Sequence, residues 1–268
     1  MSDLPPRSRP RDRVVANPLV GPAADRRERR GRGGSQRRRA SHSMESVLTE
    51  AVALLDESGE QALTFRALAD RLGGGVASIY WYVASKDELL DRASDYVLGD
   101  VLADAAGTLS RSVRRSDRGP VDAPLGDLRA IAVTLFDAIV ERPWLAAYLM
   151  RDIAVQPNAM RLYELMGQQL LRLPITPREA FNAVSAVIGF AVGTAADLGQ
   201  KTPEPVMSGE MGRDEYLARY ADQWRALDPD EFPFVHHIVD EFARHDDAEQ
   251  FRAGLDLLLA GLRLQAER

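Results

Sequence analysis

Thr64-Phe65-Arg66-Ala67-Leu68-Ala69-Asp70-Arg71-Leu72 is followed by Gly73-Gly74-Gly75 and then Val76-Ala77-Ser78-Ile79-Tyr80-Trp81-Tyr82-Val83. In the first run Phe65, Leu68, Ala69 and Leu72 recur at i, i+3, i+4 and i+7, one face of a helix. Thr64 is a suitable N-cap, because its hydroxyl can accept a free backbone N–H at the helix start. Glycine adopts the left-handed C′ conformation at no steric cost, so the triple glycine ends the helix. The second run predicts a helix of about two turns, with Ile79 and Val83 inward and Ser78, Tyr80 and Tyr82 turned out. Two short helices joined by a glycine turn describe a helix-turn-helix, a motif whose second helix enters the DNA major groove.

Ser85-Lys86-Asp87-Glu88 then reads as a capping box, in which Ser85 caps and Glu88 reaches back. It opens a long helix with apolar Leu89, Leu90, Ala93, Val97 and Val101. Lys86 falls at the positive end of that helix, a position suited to holding a phosphate. Leu63-Thr64-Phe65-Arg66-Ala67-Leu68-Ala69, Ile79-Tyr80-Trp81-Tyr82-Val83 and Lys86-Asp87-Glu88-Leu89-Leu90 together resemble the headpiece of the tetracycline-repressor (TetR-like) family. The resemblance covers Met44 to Leu102. It implies an all-α chain: an N-terminal helix-turn-helix domain, then a helical domain for ligand binding and dimerisation. Two positions depart from the family pattern. Gly74-Gly75 stands where an apolar residue usually packs, and Val76 where a hydrogen-bonding residue is common.

Charge is unevenly distributed. The chain has 268 residues and a net charge of −6. Residues 1–43 hold 12 Arg against Asp3, Asp12, Asp25 and Glu28, a balance of +8, which leaves −14 for the remainder. Rich in Pro, Gly, Ser and Arg and without an apolar period, this segment reads as a disordered basic arm able to lie on phosphates or enter a minor groove. The alternatives are a solvated tail, or a start codon assigned upstream of Met44. No apolar run follows its charges, so it is not a signal peptide, and a cytoplasmic protein is expected. Between Glu45 and Asp100, Arg66, Arg71, Lys86 and Arg92 face eleven acids, a net of −7, whereas a DNA-binding domain usually has a basic footprint.

The order of segments is then a basic arm at 1–43, a helix-turn-helix domain at 44–102, a linker at 103–127 and a helical domain at 128–268. The linker assignment rests on the Ser/Arg/Gly/Pro composition of residues 110–120. No period-two alternation predicts a strand. Ala180 to Ala196 is uncharged over its whole length. A helix apolar all round is buried on all sides, and Asn182, Ser185, Thr194 and two glycines argue against a membrane span. The last helix carries Phe251, Leu255, Leu258, Leu259 and Leu262. These two helices resemble the pair that forms the family's four-helix dimer interface. That implies Phe181, Val184, Ile188, Gly189, Val192, Leu255, Leu258, Leu259 and Leu262 as contacts of a homodimer, with an intramolecular core as the alternative.

Chemistry is sparse. There is no cysteine, Gly-x-Ser-x-Gly elbow or phosphate loop, so neither an enzyme nor a cofactor is indicated. His236-His237 with Asp240 and Glu241 has metal-ligand spacing, but a solvated polar face is the favoured account and no metal site is expected. Tetracycline-sensing members of the family coordinate magnesium partly through a histidine early in the ligand domain; here no histidine lies between Ser43 and Val235. Aromatic residues at helical spacing are usually core, yet some can line an apolar cavity for a small-molecule effector. The candidates are Phe136, Trp144, Tyr148, Tyr163 and Phe181, with Gln168, Gln169, Arg172 and Asn182 as polar contacts.

The resemblance thus implies a dimeric, ligand-responsive repressor on a palindromic double-stranded operator. Arg66, Tyr80, Tyr82 and Lys86 would position it on phosphates, with Thr64 also among the DNA-binding residues. Val76, Ala77, Ser78 and Trp81 would meet bases, Val76 and Ala77 by contact with thymine methyls. The alternatives are a helical interaction module or an enzyme that reuses the fold without sequence-specific DNA binding.

Overall fold

The computed structural model describes residues 42–113, 119–150, 156–199 and 203–268. The arm at 1–41 therefore lies outside the described residues. Among those described, every regular element is a helix.

The headpiece is built from three helices and the start of a fourth. Helix α1, Met44–Ala62, opens on a reciprocal Ser43–Ser46 capping box and breaks at Gly59, whose φ of 72° is left-handed. Helix α2, Phe65–Leu72, is capped by the Thr64 hydroxyl on Ala67 N–H and ends at Gly73, φ 67°. Helix α3 is shorter than predicted: only Val76–Ile79 is α-helical. Tyr80 to Tyr82 continue it as a turn, with Tyr82 N–H and Val83 N–H both donating to Ile79 O. Val47, Leu48, Ala51, Leu55, Leu68, Ile79, Leu89 and Leu90 close the headpiece core.

Helix α4 spans Lys86–Val113. The linker expected at 103–127 is thus a correction: its first eleven residues finish α4, and from Asp122 it belongs to α5, Asp122–Glu141. The stretch between them carries the loop composition; of it, residues 114–118 lie outside the described residues. Alanines and leucines up to Leu109 extend the apolar face of α4, which packs on the body. Composition over a window blurred that boundary.

The body adds α6 (Trp144–Leu149), α7 (Pro157–Leu170), α8 (Pro177–Leu198), α9 (Glu204–Met207), α10 (Arg213–Arg225), α11 (Pro233–Phe242) and α12 (Asp247–Ala266). Helix α8 has Pro177 at its first turn and a Thr176–Glu179 capping box. That helix is long and apolar enough to cross a membrane. In this fold it buries Val184, Val187, Ala191, Val192 and Ala195 in the body core. The core centres on three rings. Phe251 stacks on Phe136 with centroids 3.7 Å apart, and Phe190 lies 5.6 Å from Phe251. Gly254 makes room for them, since a Cβ there would sit 2.4 Å from Phe190 Cζ.

Among the described residues, headpiece and body also meet at two polar junctions, one on α1 and one on α4. Asp56 of α1 accepts from Trp144 Nε1 at 2.7 Å and from Arg142 Nε at 3.2 Å. Asp95 of α4, nearly buried, accepts from the backbone N–H groups of Asn158 and Ala159, and so caps α7. Asp56→Ala should lower stability by about 0.5–1.5 kcal/mol, the net worth of a hydrogen bond at a site that water can reach. Thermal unfolding would measure this; an unchanged midpoint would mean that the junction adds nothing to stability.

Candidate nucleic-acid interface

The apolar side of the helix-turn-helix is consumed by the headpiece core, and this fixes what faces outward. Ile79 and Val83 are buried, which leaves Val76, Ala77, Tyr80 and Trp81 exposed. Trp81 is 87% exposed. Single exposed apolar residues are ordinary, but a large aromatic standing free on a recognition helix is a contact in waiting. The Tyr80 ring meets Phe65 edge-on, at a centroid distance of 4.9 Å, and this fixes its hydroxyl beside the helix. Ser78 Oγ donates to Gly75 O at 2.5 Å, so its proton is used inside the turn. Tyr82 is half-buried and its hydroxyl donates to His42 O. A hydroxyl has two acceptor lone pairs and keeps them while donating.

The cations are placed differently from the sequence-based picture. Arg71 forks onto Glu57, at 2.8 and 2.7 Å, and reaches Glu50 at 3.1 Å. Hydrogen bonding to Arg71 holds the Glu57 carboxyl below its ordinary range. Arg92 pairs with Glu88, whose carboxylate also accepts Ala84 N–H at 2.7 Å; that backbone bond is the main reason its pKa is lowered. Lys86 turns inward. Its Nζ donates to Glu60 O at 2.7 Å and caps the end of α1. Two of its three protons remain for a phosphate. Arg66 is exposed and, among the described residues, is the one headpiece Arg or Lys without an ion pair or hydrogen bond. Lys86→Ala should cost about 1 kcal/mol of stability through the lost carbonyl cap. It should also flatten log K against log[salt] by about one unit per subunit bound. An unchanged slope would assign Lys86 to the fold alone.

Two profiles of known families match the chain. One, described as bacterial regulatory proteins, tetR family, covers residues 47–93. The other, the tetracyclin repressor-like C-terminal domain, covers residues 126–266. The chain belongs to the tetracycline-repressor family. A solved TetR transcriptional regulator of Streptomyces coelicolor is 34% identical, with a TM-score of 0.65 over 84% of this chain and 99% of that one. An HTH-type transcriptional regulator of Saccharopolyspora erythraea is 29% identical, but the match spans only 58% of this chain and 60% of that protein. The transcriptional repressor DrrR1 of Streptomyces coeruleorubidus is 25% identical over 87% of this chain and 81% of its own length. Like these relatives, this TetR-family chain is a transcriptional regulator.

Most of the effector residues expected from sequence are not brought together, which corrects the picture of one shared cavity lining; the Trp144 and Tyr148 rings do meet edge-on, at a centroid distance of 6.1 Å. Phe136 is 2% exposed and fills the body core. Trp144 bonds Asp56, and Tyr148 packs in the headpiece cluster. Tyr163 and Gln168 lie on the surface of α7, with Gln168 donating to Glu164. Phe181 and Asn182 are exposed on α8. The other polar candidates, Gln169 and Arg172, meet at a residue that sequence did not single out: Arg172 Nη1 donates to Asp127 at 2.7 Å and to Gln169 at 2.6 Å. A buried aspartate on an apolar stripe was the available signal. The His236 group also has protein partners. His236 bonds Leu227 O, Asp240 pairs with Arg225, and Glu241 with Arg244.

The dimer residues need the same correction. Val184, Val192, Leu255, Leu259 and Leu262 are buried within the single chain, because α8 and α12 pack on α5 and on each other. Of the expected set, Phe181, Gly189 and Leu258 are exposed and Ile188 is half-exposed. Sequence missed Leu257 and Leu264, 76% and 65% exposed on the free face of α12. Phe181, Ser185 and Gly189 on α8 and Leu257, Gly261 and Leu264 on α12 are spaced by three or four residues, so each set forms one stripe.

Proposed function

We propose that the chain is a homodimeric repressor that binds a palindromic operator and is released by a small-molecule effector. The exposed face of the recognition helix carries this reading: Val76, Ala77 and Trp81 stand clear of the headpiece core. Two such helices, one per subunit, would enter successive major grooves with centres about 34–36 Å apart or a multiple of that distance. Val76 and Ala77 meet thymine methyls and Trp81 a base edge or sugar, while Ser78 positions the turn. Thr64, Arg66, Tyr80, Tyr82 and Lys86 hold phosphates. The apolar stripes of α8 and α12 support the dimer. The name of the repressor relative supports repression. An effector that prefers the DNA-incompetent spacing of the headpieces would shift the population off the operator. A cytoplasmic location and the absence of catalysis follow from this reading.

A second reading, a protein-interaction module, is favoured by the headpiece charge of −7. Selection of duplexes from a random-sequence pool by the full chain separates the two. Enrichment of an inverted repeat, with two protected half-sites in a footprint, is the expected result. Failure to enrich any duplex would sink the operator reading and leave the interaction module standing.

A further inference from the structure

Helix α4 is shared between two cores, and Asp95 stands where one gives way to the other. Leu89, Leu90 and Ala93 belong to the headpiece core, and Val97, Leu98 and Val101 to the body core. Apolar packing is non-directional, so by itself it leaves the tilt of α4 on the body loosely set. Directional contacts sit at the changeover. The Asp95 carboxylate, almost buried, accepts the backbone N–H groups of Asn158 at 2.8 Å and of Ala159 at 3.0 Å. These are donors that the first turn of α7 cannot satisfy itself, and the N-cap residue Gln156 supplies no side-chain bond.

Asn158 returns the contact. Its Nδ2 donates to the backbone O of Asp95 at 2.8 Å, and its Oδ1 accepts from Arg161 Nη1 at 3.0 Å, which orients the amide. A carbonyl oxygen has two lone pairs, so Asp95 O takes this bond beside the one it makes within α4. Gly99 lies one turn further along α4 on the same face. A Cβ there would be 3.2 Å from Asn158 Nδ2, so the glycine leaves room for the amide. Asp95, Gly99 and Asn158 thus form a catch that accepts one register of α7 on α4.

We propose that this catch sets the tilt of α4 on the body, and through it the separation of half-sites that the dimer accepts. This deepens the operator reading and rests on it. Asp95 and Asn158 act as positioning residues, since neither is among the candidate DNA contacts. Asp95 lies nine residues from Lys86, the first residue of α4. That is a lever of about 14 Å. A tilt of about 7° moves its far end by about 1.7 Å. Two subunits tilting apart then change the headpiece separation by about 3.4 Å, one base-pair step. A small slip at the catch is therefore felt on the operator as a whole base pair.

The test uses the full chain with no effector. The chain has no cysteine, so Asp70→Cys, at an exposed position of α2, gives each subunit one spin label. Pulsed electron resonance then reads the distance between headpieces in the free dimer. The unlabelled chains are titrated on a duplex that the unaltered chain has enriched from a random-sequence pool, and on versions with the half-sites one base pair closer or further apart. Asn158→Ala removes the side-chain grip and leaves the carboxylate cap of α7 in place. The expected result is a distance distribution shifted or broadened by about 3 Å or more, with most of the preference for the enriched spacing lost. Asp95→Asn keeps a capping oxygen and should keep both readouts. Phe251→Leu, which disturbs the body away from the catch, should keep both as well. An Asn158→Ala dimer with unchanged distances and unchanged preference overturns the proposal and leaves the operator reading intact. So does an equal loss of preference in Phe251→Leu, which would assign the effect to stability alone. If the unaltered chain enriches no duplex, the operator reading fails, and the proposal fails with it.

Discussion

Gly189→Glu should yield a folded, helical protein that no longer dimerises. The position is exposed on α8, and a Cβ there meets nothing within 4 Å inside its own chain. The subunit therefore has no reason to unfold. In the proposed symmetric dimer the stripe Phe181, Ser185 and Gly189 would face its own copy, together with Leu257 and Leu264 of α12. Symmetry then places two carboxylates in one apolar contact. Burying each without a partner costs on the order of several kcal/mol. Operator binding should fall with dimerisation, since one half-site gives only part of the affinity. Light scattering, circular dichroism and operator titration read the three links separately. A stable dimer with unchanged affinity would place the interface elsewhere. A monomer that still bound the palindrome tightly would sink the two-half-site mechanism.

The second large effect is expected inside the subunit. Phe251→Ala should destabilise the body by about 3–5 kcal/mol, the range for deleting a buried phenyl ring. Phe251 is 1% exposed and lies between Phe136 and Phe190, so its loss leaves two rings without their shared partner. For a chain of this size the unfolding midpoint should drop by about 6–20 °C. Phe251→Leu, which refills most of the volume, should recover the greater part. A loss under about 1 kcal/mol for the alanine variant would show that the core closes around the gap. Gly254→Ala offers an independent check on the same cluster, since the added methyl collides with Phe190.

The headpiece was legible in the sequence because its signals are local. Thr64, the triple glycine and the Ser85–Glu88 pair act within a few residues, and the structure has Thr64 N-capping α2, Gly73 left-handed and Glu88 bonding back to Ala84 N–H. The long-range partners were not legible. That Lys86 spends a proton on Glu60 O, or that Trp144 bonds Asp56, depends on how helices far apart in sequence come together. Ala180 to Ala196 shows the limit of periodicity. An uncharged helix reports no direction, so the side turned to its own core could not be told from the side left open. Leu255 and Leu257 differ by two positions, and one is buried while the other is 76% exposed. The effector residues were not legible for another reason: an aromatic ring fills a core and lines a cavity with the same spacing.

The placement of Asp56 and Asp95 bears on recombination between relatives. Helix α4 contributes Leu89, Leu90 and Ala93 to the headpiece core and Val97 onward to the body core. No peptide bond along it marks a clean seam. A chimera that takes its DNA-reading half from this protein carries Asp56 and Asp95 as two prongs of a plug. The matching socket is Arg142, Trp144 and the amide groups of Asn158 and Ala159. A recipient with that socket should accept the graft and obey its own effector; one without it should assemble a reader and a sensor that ignore each other.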